Sequence, residues 1–304
     1  MKNIETKWLK DFLTLAELNN FSHAAEVRNV TQPAFSRRIK SLESELGLEL
    51  VDRTKTPIEL TLSGKQFKTT ALSVLHQLNE EVNRLSGSSF DGHHTVRLSA
   101  VHSIAITLLP KLISFMPESE QKTTRLSVVA NEVKDAVEQL VDGKCDFLFS
   151  FYEDMLQVAP YRSIHLGRSY LYCVSAVDDV GKPLFDLENG DDVPCLDYTP
   201  ESYMGRVIQR THSKLTSNSV CSSSMTNFIK ALVMQGKGIS WLPDYTIRDE
   251  LESGTLKILK ERKPVPMDLY VYRYYSRLHE SSEAIWNEWS KVCPIEDLNG
   301  QPLC

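Results

Sequence analysis

Apolar residues recur at helical spacing from the first residues onward. Trp8, Phe12, Leu15 and Ala16 predict a helix over Thr6–Leu18, ended by Asn19-Asn20. Ser22, read as an N-cap, predicts a short helix His23–Arg28, and Asn29-Val30 supplies a turn. Thr31 then caps a third helix, with Pro33 in its first turn and Gly47 just beyond its end near Leu46. At about 100° per residue, Phe35, Ile39, Leu42 and Leu46 fall within about 60° of one another and should face a core. Pro33, Arg37, Lys40 and Ser44 fall on the opposite side, and Gln32 and Ser36 flank the first turn. Leu48–Arg53 and Ile58–Thr61, on either side of Thr54-Lys55-Thr56-Pro57, predict a β-hairpin wing.

From Gly64 the pattern turns helical again, to about Leu85. Ala71, Leu75, Leu78, Val82 and Leu85 are spaced 4, 3, 4 and 3 apart, an a/d seam that suits either a coiled coil or packing on the same chain. Ser86-Gly87-Ser88-Ser89-Phe90-Asp91-Gly92 reads as a hinge. Beyond it strands and helices alternate. Strands are expected at Val96–Val101, Arg125–Ala130, Asp146–Phe151, Tyr170–Ala176, Gly238–Trp241, Thr255–Leu259 and Leu269–Tyr274. Helices are expected at Ser103–Phe115, Val133–Val141, Tyr203–His212, Met225–Gln235 and Glu280–Lys291. That alternation implies βαβ units and a parallel sheet.

Composition narrows the function classes. The 304 residues are 41% hydrophobic and 24% charged, which suits two or three globular domains. No apolar run approaches the ~18 residues of a membrane span, and the first residues carry no apolar leader, so a cytoplasmic location is expected. The six cysteines are scattered without a C-x-x-C, so neither a disulfide framework nor a zinc ribbon is expected. The histidines show no metal-ligand spacing, and no cofactor or metal is expected. G-x-S-x-G, H-E-x-x-H, the P-loop and G-x-G-x-x-G are all missing, which argues against an enzyme.

The net charge of -6 hides an asymmetry. Residues 1–90 carry 12 Lys/Arg against 11 Asp/Glu, and Val27–Leu42 holds Arg28, Arg37, Arg38 and Lys40 with no acid. A basic helix after a tight turn is what a major-groove reader requires. Gln32 can bond adenine twice, and Arg37 can bond guanine O6 and N7. Arg38 and Lys40 suit either bases or phosphates, and Arg53 and Lys55 near the wing tip suit phosphates.

In a parallel sheet, ligands settle at the carboxyl ends of strands and at helix starts. His102 and Ser103, then Ser202, Tyr203 and Met204, then Ser222-Ser223-Ser224 occupy such junctions. Each of these serines also reads as an ordinary helix cap.

Several runs carry a family resemblance. They are Ala24-Ala25-Glu26, Val30-Thr31-Gln32-Pro33-Ala34-Phe35-Ser36-Arg37-Arg38-Ile39, Leu42-Glu43-Ser44-Glu45-Leu46-Gly47, Leu50-Val51-Asp52-Arg53 and Leu60-Thr61-Leu62-Ser63-Gly64. Together they resemble the winged helix-turn-helix of the LysR-type transcriptional regulators. Phe35 departs from the family, where a smaller aliphatic residue is common; it lies on the inward face.

The resemblance implies three regions: a DNA-binding domain over residues 1–62, a linker helix and hinge over 63–90, and an α/β effector domain over 91–304. The last resembles periplasmic-binding-protein type 2, with subdomain I at about 93–161 and 269–304 and subdomain II at about 162–268. Leu109-Pro110, Asp142-Gly143-Lys144-Cys145-Asp146 and Gly236-Lys237-Gly238-Ile239-Ser240-Trp241-Leu242-Pro243 carry this part. Double-stranded DNA with pseudo-palindromic sites is the implied partner. Ser22, Thr31, Gln32, Pro33, Ser36, Arg37, Arg38, Lys40, Arg53 and Lys55 are the candidate contacts. The linker helix implies a homodimer, with tetramers formed from it.

The effector is read three ways. Asn3-Ile4-Glu5-Thr6-Lys7-Trp8-Leu9, Ser202-Tyr203-Met204-Gly205-Arg206, Ser223-Ser224-Met225 and Trp241-Leu242-Pro243 resemble a hypochlorite-responsive branch of the family. Met116, Met204 and Met225 are then candidate oxidation sites. Met204, in a polar stretch, is expected to be the most reachable, and Arg206 is expected to hold an anion. A thiol switch at Cys173, Cys195 or Cys221 is the second reading, and a small carboxylate in the cleft the third.

Overall fold

The computed structural model describes residues 3–85, 94–187, 193–211, 218–276 and 278–295. The expected hinge at 86–92 lies outside the described residues. The N-terminal unit comprises α1 (Thr6–Leu18), α2 (Phe21–Val27), α3 (Gln32–Leu46), β1 (Val51–Asp52), β2 (Glu59–Leu60) and α4 (Leu62–Leu85). Phe12, Leu15, Phe35, Ile39 and Leu42 are fully buried in one core, as the helical spacing requires.

Two local expectations change. The cap of α2 is Asn20, whose side chain accepts from the backbone N–H groups of Ser22 and His23 at 2.9 and 3.1 Å. Ser22 therefore lies within the first turn, exposed, and α2 begins two residues earlier than expected. Asn can enter this role because its preceding neighbour Asn19 reverses the chain at φ 50, a conformation Asn tolerates. Thr31 is the N-cap residue of α3 but makes no side-chain cap bond. The wing is shorter than expected, with only Val51↔Leu60 and Asp52↔Glu59 paired.

The linker seam divides. Ala71 and Leu75 are buried in the core of the N-terminal unit beside Leu9 and Phe12. Leu78 and Val82 are 46% and 54% exposed, as is Val74 at 46%. The first turns of α4 close their own domain, because a winged helix this small needs that apolar area. Only the later positions are available to a partner; the Leu85 side chain lies outside the described residues.

The larger unit runs β3 (His94–Val101), α5 (His102–Thr107), α6 (Leu109–Ser114), α7 (Glu118–Thr123), β4 (Thr124–Asn131), α8 (Val133–Val141) and β5 (Phe147–Phe151). It continues β6 (Tyr161–Ala176), β7 (Cys195–Tyr198), α9 (Tyr203–Thr211), β8 (Ser219–Ser223), α10 (Thr226–Met234) and β9 (Ser240–Pro243). It closes with α11 (Asp244–Glu252), β10 (Leu256–Ile258), β11 (Val265–Tyr274) and α12 (Glu280–Val292).

One sheet carries the order β10-β6-β11-β5-β3-β4, with β9 added on β6; β7 and β8 form a separate parallel pair. β3 runs parallel to β4 and β5, as expected. β6 and β11 are antiparallel to each other over Tyr161–Leu171 and Val265–Tyr274, so the sheet is mixed rather than parallel. The reason is topological: the chain leaves the first half along β6 and returns along β11, so the two crossings run in opposite directions.

The helix expected over Ser103–Phe115 is two helices, α5 and α6. Pro110 lacks the N–H that a continuous helix needs, and it sits in the first turn of α6 instead. The segments of β7, β8, α7 and α11 are too short or too polar to announce themselves by period. α12 packs back on the first half, where Trp289 lies edge-on to Phe147 and Phe149 and donates Nε1–H to the Leu112 carbonyl at 2.9 Å.

Candidate functional sites: an exposed helix start and a closed cleft

The start of α3 is the more open of the two sites. Thr31, Gln32, Pro33, Arg37 and Lys40 are exposed and Ser36 is half-buried, while Phe35 and Ile39 anchor the same helix from beneath. Among the described residues neither Arg37 nor Lys40 makes an ion pair. Both cations therefore stand ready for an anionic partner.

Two other candidate arginines have structural partners. Asp11 of α1 is fully buried and accepts from Arg28 Nε at 2.7 Å and Arg38 Nη1 at 3.1 Å. Arg38 thus ties α3 to α1 and α2. Arg53 grips Glu43 with Nη2–Oε2 at 2.6 Å and lies over the Phe21 ring. Glu43 in turn accepts the Leu50 and Val51 N–H groups at 2.9 and 3.2 Å. Arg53 and Glu43 therefore fasten the wing to α3. Lys55 is exposed on the wing and pairs with Glu59 at 2.5 Å. Neither Asp11 nor Glu43 was signalled by the sequence, because a buried acid inside a helix resembles a surface one until its partners arrive from other elements.

The second site lies where β3 and β4 end and α9 and α10 begin. His102, Ser103, Glu132 and Phe151 line it from one side, and Ser202, Tyr203, Met204, Ser224 and Thr226 from the other. The cavity is about 20 Å³, room for about one water-sized ligand. Tyr203 stacks on Phe151 with ring centroids 4.1 Å apart. Burial pushes its phenol pKa well up, and nearby Glu153 adds to this. Burial also raises the Glu153 carboxyl, against the pull of Arg206. Ser202 Oγ donates to the Thr199 carbonyl at 2.7 Å and accepts the Gly205 N–H at 3.0 Å, so it caps α9. A Cβ at Gly205 would lie 2.2 Å from the Thr199 oxygen, so only glycine permits this tight start. Ser103 Oγ is 2.9 Å from the Tyr245 hydroxyl. His102 Nδ1 is buried with no hydrogen-bond partner among the described residues.

Arg206 is not among the groups around this cavity. It is exposed and donates to the Glu201 carbonyl, because two residues, about 200° of helix rotation, carry it to the face opposite Met204.

The methionines sort differently from their sequence surroundings. Met204 is only 4% exposed and borders the cavity; Met225 is 48% exposed; Met116 is 4% exposed within the main core. Met225, not Met204, is the most reachable, because the α9 face carrying Met204 is amphipathic and turns inward. Among the cysteines, Cys173 and Cys195 are buried, and burial pushes both thiols far above their ordinary pKa. Such thiols are poor nucleophiles toward oxidants. Cys221 is half-buried. Among the described residues no three His, Cys, Asp or Glu side chains gather as a metal site. No helix there is long and apolar enough to cross a membrane.

Comparison with known proteins assigns both regions. Residues 6–65 match the family described as bacterial regulatory helix-turn-helix protein, lysR family, and residues 91–291 match the LysR substrate binding domain. The HTH-type transcriptional regulator YjiE of Escherichia coli is 41% identical over 292 residues, covering 95% of each chain. Vibrio fischeri DarR, solved in complex with DNA, superposes with a TM-score of 0.62 at 42% identity, covering 95% of this chain and 99% of its own. Full-length HypT of Salmonella typhimurium, a hypochlorite-specific regulator, gives 0.61 at 39% identity with the same coverage.

Proposed function

The chain belongs to the LysR-type transcriptional regulators, and from that membership we propose that its DNA binding is switched by oxidation of Met204. It is a regulator rather than an enzyme, as are the relatives it matches. The N-terminal turn of α3 enters the major groove. Gln32, Ser36 and Arg37 face bases, with Thr31 and Pro33 beside them, and Lys40 and Lys55 hold phosphates. Arg38 and Arg53 set the angle of helix and wing. Val74, Leu78 and Val82 form one exposed apolar stripe on α4, the surface through which two copies pair.

One observation carries the oxidant reading: the cleft cavity is water-sized and Met204 borders it. About 20 Å³ is far below the several hundred that a metabolite pocket needs. Glu132 on its wall also repels a carboxylate. A neutral hypohalous acid fits both limits. Its oxygen passes to the thioether sulfur, which is oxidised by two electrons, and halide and a proton leave. The sulfoxide oxygen is a strong acceptor, and His102 Nδ1 in the same cavity is a buried polar atom in need of a partner. Oxidation therefore gives this cavity a contact that the thioether lacks, the kind of differential interaction a switch requires. HypT being hypochlorite-specific supports the same chemistry here.

The test is a promoter assay paired with site-resolved mass spectrometry. Met204→Gln, a polar mimic of the sulfoxide, is expected to give the oxidised output without oxidant. Met204→Leu keeps the volume and is expected to abolish the response, while Met225 still oxidises. A full response in Met204→Leu, lost instead on Cys221→Ser, would return the switch to a thiol.

A further inference from the structure

We infer that the polar face of α4 is a clasp: it fastens the DNA-binding unit to the effector unit of the same chain, and α8 carries the state of the cleft to it. At about 100° per residue, Gln66, Thr69, Thr70, Ser73 and Gln77 fall within about 100° of one another on α4. Ala71 and Leu75 serve the core of the N-terminal unit, and Val74, Leu78 and Val82 stand in solvent, so this third face is left for another use. The effector unit takes it up. Thr69, itself buried, donates from Oγ1 to the Val141 carbonyl at 3.0 Å. Lys68, beside that face, pairs with Asp142 at 2.7 Å, and Asp142 also holds Lys144 at 3.0 Å. Tyr274 Oη donates to the Gln66 carbonyl at 3.0 Å and lies 3.3 Å from Thr70 Oγ1. Ser73 and Gln77 border a small cavity together with Arg97, Asp146 and His279. A Cβ at Gly143 would lie 3.2 Å from the Leu72 side chain, so the turn after α8 sits directly against α4.

α8 joins the cleft to this clasp. Its N-cap Glu132 and its first residue Val133 line the cavity that Met204 borders. At its other end Val141 and Asp142 hold Thr69 and Lys68. Nine helical residues span about 14 Å, and Ala136 and Leu140 are buried between those ends, so the helix moves as one rod. A sulfoxide oxygen on Met204 fills a water-sized cavity and stands near the Glu132 carboxylate, which it repels. The start of α8 is thereby displaced, and its end pulls away from α4. The clasp suits this use because it is made of hydrogen bonds and an ion pair rather than packed apolar area, and contacts of that kind between units open readily. The clasped arrangement is the reduced state, and the open one is the oxidised state. The route through α8 rests on the Met204 reading; the clasp does not.

The experiment uses the full chain and a carbodiimide, which joins a lysine to a carboxylate only where the two touch. Peptide mass spectrometry of the single-chain band from a denaturing gel then reports the Lys68–Asp142 link. The reduced protein is expected to form it within one chain. Met204→Gln is expected to lower its yield at least about fivefold, the low end of coupling between two sites. Lys68→Glu and Tyr274→Phe each open the clasp and are expected to give the oxidised promoter output while Met204 is still a thioether. Combining Lys68→Glu with Asp142→Lys restores the pair with its charges exchanged and is expected to restore the need for oxidant. That recovery separates an opened clasp from an unfolded domain. A link absent from single chains, or found only between two chains, overturns the clasp. So does an unchanged output in both Lys68→Glu and Tyr274→Phe, or a charge exchange that recovers nothing. A link that persists at full yield in Met204→Gln overturns the route through α8 alone. A Met204→Leu variant that still senses oxidant overturns the oxidation reading and leaves the link and the clasp variants as they are.

Discussion

The recognition helix and the cleft place their functional groups under opposite conditions. On α3 the groups we propose to meet DNA, Gln32, Arg37 and Lys40, stand in solvent, and burial is reserved for the supports, Phe35, Ile39 and Asp11. In the cleft the group we propose to be oxidised is itself buried: Met204 is 4% exposed, whereas Met225 is 48% exposed. The contrast follows from the partners. DNA is large and charged, so its reader must offer solvated cations on a rigid frame. A small oxidant can enter a water-sized cavity, and only a buried sulfur turns one added oxygen into a packing change. On the proposed function, rigid support beneath an open surface and a reactive group inside a small cavity are two solutions to two sizes of ligand.

The sharpest way to break this comparison is to attack the frame. Replacing both Arg28 and Arg38 with methionine strands the buried Asp11 carboxylate, and is expected to cost the N-terminal unit about 3–5 kcal/mol. A shifted urea midpoint for that unit, with the effector unit unchanged, is the readout. Leu75 and Leu78 test the split seam next. Leu75→Ala is expected to cost about 2–5 kcal/mol of stability in the same unit, while Leu78→Asp leaves stability intact and shifts sedimentation toward monomer. If Leu75→Ala dissociates the oligomer without destabilising the domain, α4 is a coiled coil from its start.

Arg37→Ala is expected to lose about 1–3 kcal/mol on a specific site and to relax one half-site position. Equal losses on specific and random DNA would make Arg37 a phosphate contact. The smallest effect belongs to Lys55→Ala, which should lower the salt slope of binding by about one while leaving sequence preference unchanged. A larger slope change would show that breaking the Lys55–Glu59 pair displaces the wing.

Much of this architecture was legible along the chain. The inward face of α3, the αL glycine at Gly47 with φ 70, and the strand-helix alternation of the larger unit all follow from period and local chemistry. The roles of the charged residues were less so. Arg38 and Arg53 look like Arg37 in sequence, yet Asp11 and Glu43 hold them, from 27 and 10 residues away. The apolar seam of α4 gave the right helix and could not say that Ala71 and Leu75 serve their own domain. Met204 sits among polar neighbours and looks open; Met225 follows three serines at an expected helix start. Their exposures are reversed in the fold.

The chain by itself determined the elements, because a helix or a strand answers to neighbours three or four residues away, or two. It also determined the family, because the winged-helix run from Val30 to Gly47 carries both its core spacing and its exposed groups within one turn-helix unit. Tertiary structure alone decided which cation is free, which methionine borders a cavity, and that α8 runs from that cavity to α4. Those properties depend on atoms brought together from α4, α8, α9 and β11, up to 208 residues apart across the Gln66–Tyr274 bond. Burial and pairing are properties of that assembled surface, and no local period encodes them.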